Sequence, residues 1–134
     1  MSRDERTSDK GSDTCVMKRE PILCIEDIKN CIESIENYTR GMTLEDFLKN
    51  EMIIDAVERN FITIGEATSI IPEEFREKHA DISQKEWRDM NDMRNIVAHE
   101  YYGIDYDIIW ETIREDLPLL KVKIEKIISK LKGK

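Results

Sequence analysis

The chain has 134 residues and a formal net charge of −8, with 29 Asp and Glu against 21 Lys and Arg. That length suits one domain able to bury a core without disulfide or metal staples. Charged residues make up 37%, with only five glycines and three prolines, which favours helices over a sheet-rich fold, and no run of about 18 apolar residues offers a membrane span.

After Met1, residues 2–16 are polar and charged, with Val16 and Cys15 their only bulkier apolar side chains; residues 1–16 read as a disordered or tag-like tail. They lack the apolar run of a secretory signal, so the expected location is the cytoplasm. A first helix is expected from about Arg19 to Arg40, with Pro21 tolerated in its first turn and Gly41 ending it. Ile25, Ile28, Ile32 and Ile35 repeat at helical steps along it. Cys24 and Cys31 stand beside that stripe, about 10.5 Å apart along the axis, too far to bridge. They and Cys15 read as small thiols in a reducing compartment, and no cysteine–histidine spacing suggests a metal site.

Thr43 can cap a short helix carrying Leu44, Phe47 and Leu48. A second long helix is expected from about Glu51 to Ile70, with Ile53, Val57, Phe61, Ile64 and Ile71 as its spine and Pro72 as its stop. Pro72 to Ile82 reads as a short turn or half-helix. Ser83 and Glu86 then form the pattern of a capping box, opening a helix that Gly103 would end. Trp87, Met90, Val97 and Tyr101 mark its buried face. The last helix should start near Asp105 and carry Ile108, Ile109, Trp110 and Ile113. Pro118 is expected to kink it rather than end it, because the apolar period resumes at Leu119 and Leu120. Short connections between four long helical stretches predict an all-α, antiparallel bundle of four to five helices over residues 17–134.

The chemistry concentrates in Met93-Arg94-Asn95-Ile96-Val97-Ala98-His99-Glu100-Tyr101-Tyr102-Gly103. Arg94 is permanently charged and can hold a phosphate through two parallel hydrogen bonds. His99 is the side chain best suited to move protons near neutral pH. Together they suffice for RNA cleavage without a metal: the histidine deprotonates a ribose 2′-OH and the guanidinium stabilises charge on the phosphorane. On a regular helix Arg94 would sit in the apolar arc, about 20° from Trp87 and Tyr101, and about 140° from His99. A buried charge there needs a partner or a function, and the 140° separation asks for a helix distortion or a site shared by two protomers. The structural alternatives are a seam arginine in an ion pair and a histidine at the negative end of a helix dipole.

The acidic balance is unusual for a protein that grips phosphates. The segment 119–134 holds six lysines and one acid, Glu125. Lys123, Lys126 and Lys130 share a stripe there, which reads either as a phosphate-facing surface or as a solvated helix end. An acidic remainder also suits a basic protein partner.

Residues 93–103 resemble the Arg-x4-His-x-Tyr motif of HepT-like toxins among the HEPN-domain proteins. The likeness extends to Ala56-Val57-Glu58-Arg59, Ile64-Gly65-Glu66-Ala67, Trp87, Ile109-Trp110-Glu111-Thr112 and Asp116-Leu117-Pro118-Leu119-Leu120. It runs from about Met17, a plausible functional start, to about Leu131. The resemblance implies the HEPN helical fold, a two-fold homodimer with both motifs at one cleft, and an endoribonuclease that needs no metal or other cofactor. It implies Arg94 and His99 as catalytic residues, with Asn95 and Glu66 supporting the site. It further implies a nucleotidyltransferase antitoxin as partner, which transfers AMP to Tyr101. The competing reading is a non-catalytic helical module that holds the nucleotidyltransferase. A nucleotide-binding regulator is disfavoured, because no glycine-rich phosphate loop is present.

Overall fold

The computed structural model describes residues 20–98 and 106–133, and every regular element among them is helical. The expected tail of residues 1–16 and the start at Met17 lie outside them. In chain order the helices are α1 (Pro21–Thr39), α2 (Leu44–Leu48), α3 (Glu51–Ile70), α4 (Glu73–Lys78), α5 (Gln84–Asn91), α6 (Met93–Ala98), α7 (Tyr106–Glu111) and α8 (Leu117–Lys132), with one π-helical turn at Thr112–Asp116 joining the last two.

The starts and stops follow local chemistry. Pro21 occupies the first turn of α1, where its missing N–H has no partner to lose. Gly41 takes φ +77° in the turn that follows, a backbone most side chains resist. Thr43 with Asp46, and Ser83 with Glu86, both complete reciprocal capping boxes. Asn50 caps α3 through its side chain. The end of α1 receives help from far along the chain: the Arg114 guanidinium donates to the carbonyls of Thr39 and Met42 and stacks over Trp110 at 4.5 Å. That satisfies carbonyls α1 cannot bond itself.

The α1 stripe is buried as expected, with Ile25, Ile28, Ile32 and Ile35 fully enclosed. On α3 the spine is Ile54, Val57, Phe61 and Ile64, with Ile53 only partly buried. Ile54 steps in register with Val57 and Phe61, and Ile53 falls beside the stripe. Trp87, Ile109, Leu117, Ile124 and Ile127 close the core from the other helices. Ile108, which the pattern grouped with Ile109, is instead exposed.

Pro118 does not end the last helical stretch, which runs on through a π-helical turn. Proline has no N–H to offer the carbonyl of Arg114, and the preceding Leu117 N–H reaches back five residues to Thr112. The turn widens into a π-bulge and α8 continues from it.

The C-terminal lysines set the directions of packing. Lys121 pairs with Glu36 at 3.1 Å and Lys132 with Glu26 at 2.7 Å, so α8 runs antiparallel to α1. Lys123 pairs with Glu86 at 2.7 Å and Lys130 with Asp81 at 2.5 Å, so α8 also runs antiparallel to the segment opening α5. The expected lysine stripe is therefore not a free phosphate-facing surface, since two of its three members are turned inward onto acids. Burial pushes the Cys31 thiol up to about 11, with Asp27 adding to it, so the group stays protonated and inert.

Glu86 makes acid stability testable. Burial pushes its carboxyl up, but hydrogen bonds from Lys123 and Ser83 outweigh that and hold it below the ordinary 4.5. A depressed folded value contributes stability that is full above 4.5 and is lost as pH falls through the folded value. The thermal midpoint of the wild type should fall more steeply than that of Glu86→Gln between about pH 6 and pH 3. Parallel curves for the two proteins would mean that this carboxylate carries no acid sensitivity.

Candidate functional site

The site is assembled where α3 meets the junction of α5 and α6. The sequence pattern asked for one unbroken helix from Ser83 towards Gly103, but the helix breaks at Asp92. There the backbone opens to φ −83°, ψ −3°, and the Asn95 N–H bonds back to Asp92 with the tighter three-residue step.

The break changes which residue is buried. Trp87, Met90, Met93 and Val97 form the enclosed stripe, so Met93 takes the position a regular helix would give Arg94. Arg94 is turned to solvent. The expectation of a charge on the buried stripe is corrected: within one chain nothing forces Arg94 into a seam. No ion pair with Arg94 occurs among the described residues.

Gly65 explains how this junction is held. A methyl group at Gly65 would lie 3.1 Å from the Arg94 backbone nitrogen, 3.1 Å from the Asn91 carbonyl oxygen and 3.2 Å from the Arg94 Cβ. Two of those atoms are backbone and cannot swing aside. A glycine inside a helix costs roughly 1 kcal/mol relative to alanine, and here the close approach of two backbones is what offsets it. This glycine was the signal in the sequence that a plain reading of periodicity passes over.

The other candidate residues fall around it as follows. Glu66 follows Gly65 on α3 and is exposed; no ion pair within 4 Å joins it to Arg94. Asn95 is exposed next to Arg94, its amide 3.5 Å from the Asp92 carboxylate, a long contact. His99 and Tyr101 lie outside the described residues, as do the Gly103 stop and the Asp105 cap. Arg94 and Asn95 on α6 and Glu66 on α3 are each exposed, and Gly65, beside Glu66, is the residue of α3 that packs against the Arg94 backbone. Among the described residues no group of three or more His, Cys, Asp or Glu is placed to hold a metal ion.

Residues 28–127 match the family described as ribonuclease HepT-like. A probable ribonuclease HepT of Thermococcus cleftensis is 42% identical over 111 residues, which cover 83% of this chain and 98% of that protein. A Methanocaldococcus jannaschii protein named as a candidate RNase is 38% identical over 117 residues, covering 87% of this chain and 94% of its own. A similarly named protein of Caldanaerobacter subterraneus is 37% identical over 108 residues, covering 81% and 94% of the two chains. No solved structure matches the chain. The chain belongs to the HepT-like family.

The glycine contact gives a stability test. On helix propensity alone Gly65→Ala should gain roughly 1 kcal/mol. The fixed backbone of Asn91 and Arg94 should reverse that sign, for a net loss of about 1 kcal/mol, and Gly65→Val should lose about 3 kcal/mol. Urea midpoints measure both. An alanine variant as stable as wild type would show the α3–α6 contact to be loose.

Proposed function

We propose that this protein is a metal-independent endoribonuclease and the toxin of a toxin–antitoxin pair. The observation that carries the reading is Arg94 exposed on α6, with no ion pair among the described residues, in a chain whose family is ribonuclease HepT-like. An exposed arginine is suited to a phosphate, and it lies five residues before the histidine of the motif.

In this reading His99 takes the proton from a ribose 2′-OH, and the 2′-oxygen attacks the adjacent phosphorus. Arg94 neutralises charge on the pentacoordinate phosphate while the bond to the 5′-oxygen breaks and that oxygen takes up a proton. Asn95, next to Arg94, and Glu66, next to Gly65, are both exposed and would support the substrate or orient the two catalytic groups. A two-fold homodimer brings two copies of the motif to one cleft, which supplies a composite site without requiring both side chains on one helical face.

Control would come from a nucleotidyltransferase antitoxin. The Tyr101 oxygen attacks the α-phosphate of ATP, its proton is lost and pyrophosphate leaves, so the tyrosine carries AMP. The new phosphodiester places a negative charge within the motif, where it can occupy the Arg94 guanidinium and fill the groove. A second reading has one observation in its favour. The chain is acidic and pairs several of its C-terminal lysines internally, which suits a non-catalytic module that holds the nucleotidyltransferase better than it suits a nucleic-acid binder.

Arg94→Ala and His99→Ala should each lower RNA cleavage by at least about 100-fold while leaving the thermal midpoint within a few degrees, and cleavage by wild type should survive EDTA. Light scattering on the same preparations should return a dimer. Full activity in either variant, loss of activity on chelation with recovery in magnesium, or an active monomer would each refute the corresponding part of this mechanism.

Intact mass tests the control step. Co-expression with the antitoxin should add whole AMP units to wild type, mapping to Tyr101, and none to Tyr101→Phe. Equal neutralisation of both proteins with no adduct on either would remove covalent control at this residue.

A further inference from the structure

On the face of the α5–α6 unit turned towards α8 lies a groove of about 410 Å³. Met90, Met93 and Ile96 form one wall, and Leu119 and Leu120 form the other. Leu119 is 66% exposed and Val122, one turn on along α8, is 52% exposed, so the apolar strip continues out of the groove onto the surface. Two methionines in the wall suit an adaptable apolar fit.

The rim is acidic in a particular way. Among the carboxylates lining it, Glu86 is paired with Lys123 and Asp89 with Lys85. Asp92 and Asp116, at the α5–α6 break and at the end of the π-helical turn, are exposed and have no ion pair among the described residues. Lys85 is near enough to feel Asp116 but spends its hydrogen bond on Asp89. One uncompensated carboxylate therefore stands on each side of an apolar trough.

We propose that this groove docks a basic amphipathic helix of a different protein, with apolar side chains in the trough and Lys or Arg against Asp92 and Asp116. Charge complementarity selects this occupant. RNA would bring phosphates towards two unpaired carboxylates. A second copy across a two-fold axis would set each acidic rim against its own duplicate. A helix offering leucines flanked by cations meets both requirements of the surface. The docking stands independently of the ribonuclease reading. Its occupant would lie along α6, because Asp92, Met93 and Ile96 flank Arg94 and Asn95 in the chain.

The probe is a dye-labelled amphipathic peptide with leucines on one helical face and flanking lysines, compared with a twin carrying glutamates in place of the lysines. Fluorescence anisotropy with the full chain should show the lysine peptide bound at least about 10-fold tighter. Asp92→Lys with Asp116→Lys should invert that preference, and Leu119→Ser should weaken the lysine peptide several-fold. Glu73→Lys with Glu77→Lys, an equal change of net charge on exposed α4 positions, should leave the preference intact. If the lysine pair fails to fold, Asp92→Asn with Asp116→Asn should collapse the preference towards unity. Equal binding of the two peptides overturns the proposal, as does an equal effect of the α4 control pair, which would reduce the result to bulk charge. A homodimer that Leu119→Ser dissociates also overturns it, by giving the face to a second copy.

Discussion

Gly65 is the point on which the arrangement of this molecule turns. Helices normally keep their axes about 8–10 Å apart because side chains stand between them. At Gly65 nothing stands between, and α3 presses directly on the backbone of Asn91 and Arg94. That contact lies at the break between α5 and α6, where Met93 rotates inward and Arg94 outward. The exposure of the candidate phosphate-binding arginine is thus a product of how two backbones pack, not of the hydrophobic pattern around it.

Electrostatics divide the surface along similar lines. The lysines of α8 meet acids on α1 and at the start of α5. Such partly exposed pairs contribute little individually to stability, but their alternation along α8 favours one direction and register for that helix. They also consume much of the positive charge that a nucleic-acid binder would otherwise present. What remains is a protein of net negative charge with an exposed arginine at the α3–α6 contact. An acidic body weakens indiscriminate attraction to phosphate backbones, so recognition in such a protein depends on a few placed donors rather than on a broad basic field.

Much of the fold was legible because its signals are local. The isoleucine steps of α1, the caps at Thr43 and Ser83, and the bounds of α3 each depend on residues within a few positions of one another. The elements that were not legible depend on distant partners. A stripe of Trp87, Met90 and Val97 accepts either Met93 or Arg94 between its last two members, and only the packing of α3 decides between them. The lysine stripe looked free in sequence because the acids that pair with Lys123 and Lys130 lie 37 and 49 residues away. Pro118 announced a kink, but its resolution as a π-bulge depends on the Leu117 N–H finding the Thr112 carbonyl. Of the candidate site, the motif residues were evident from their chemistry, and the glycine that positions Arg94 was visible only as an unexplained cost within a helix.

Two different contacts flank α6: α3 through Gly65 on one side, and the trough shared with α8 on the other. The α3 contact is rigid, because it is backbone on backbone. The trough is adaptable, because methionine and leucine side chains form it. A helix held firmly on one side and loosely on the other can respond to whatever fills the loose side. Arg94 lies on that helix, its backbone in the α3 contact and its side chain exposed.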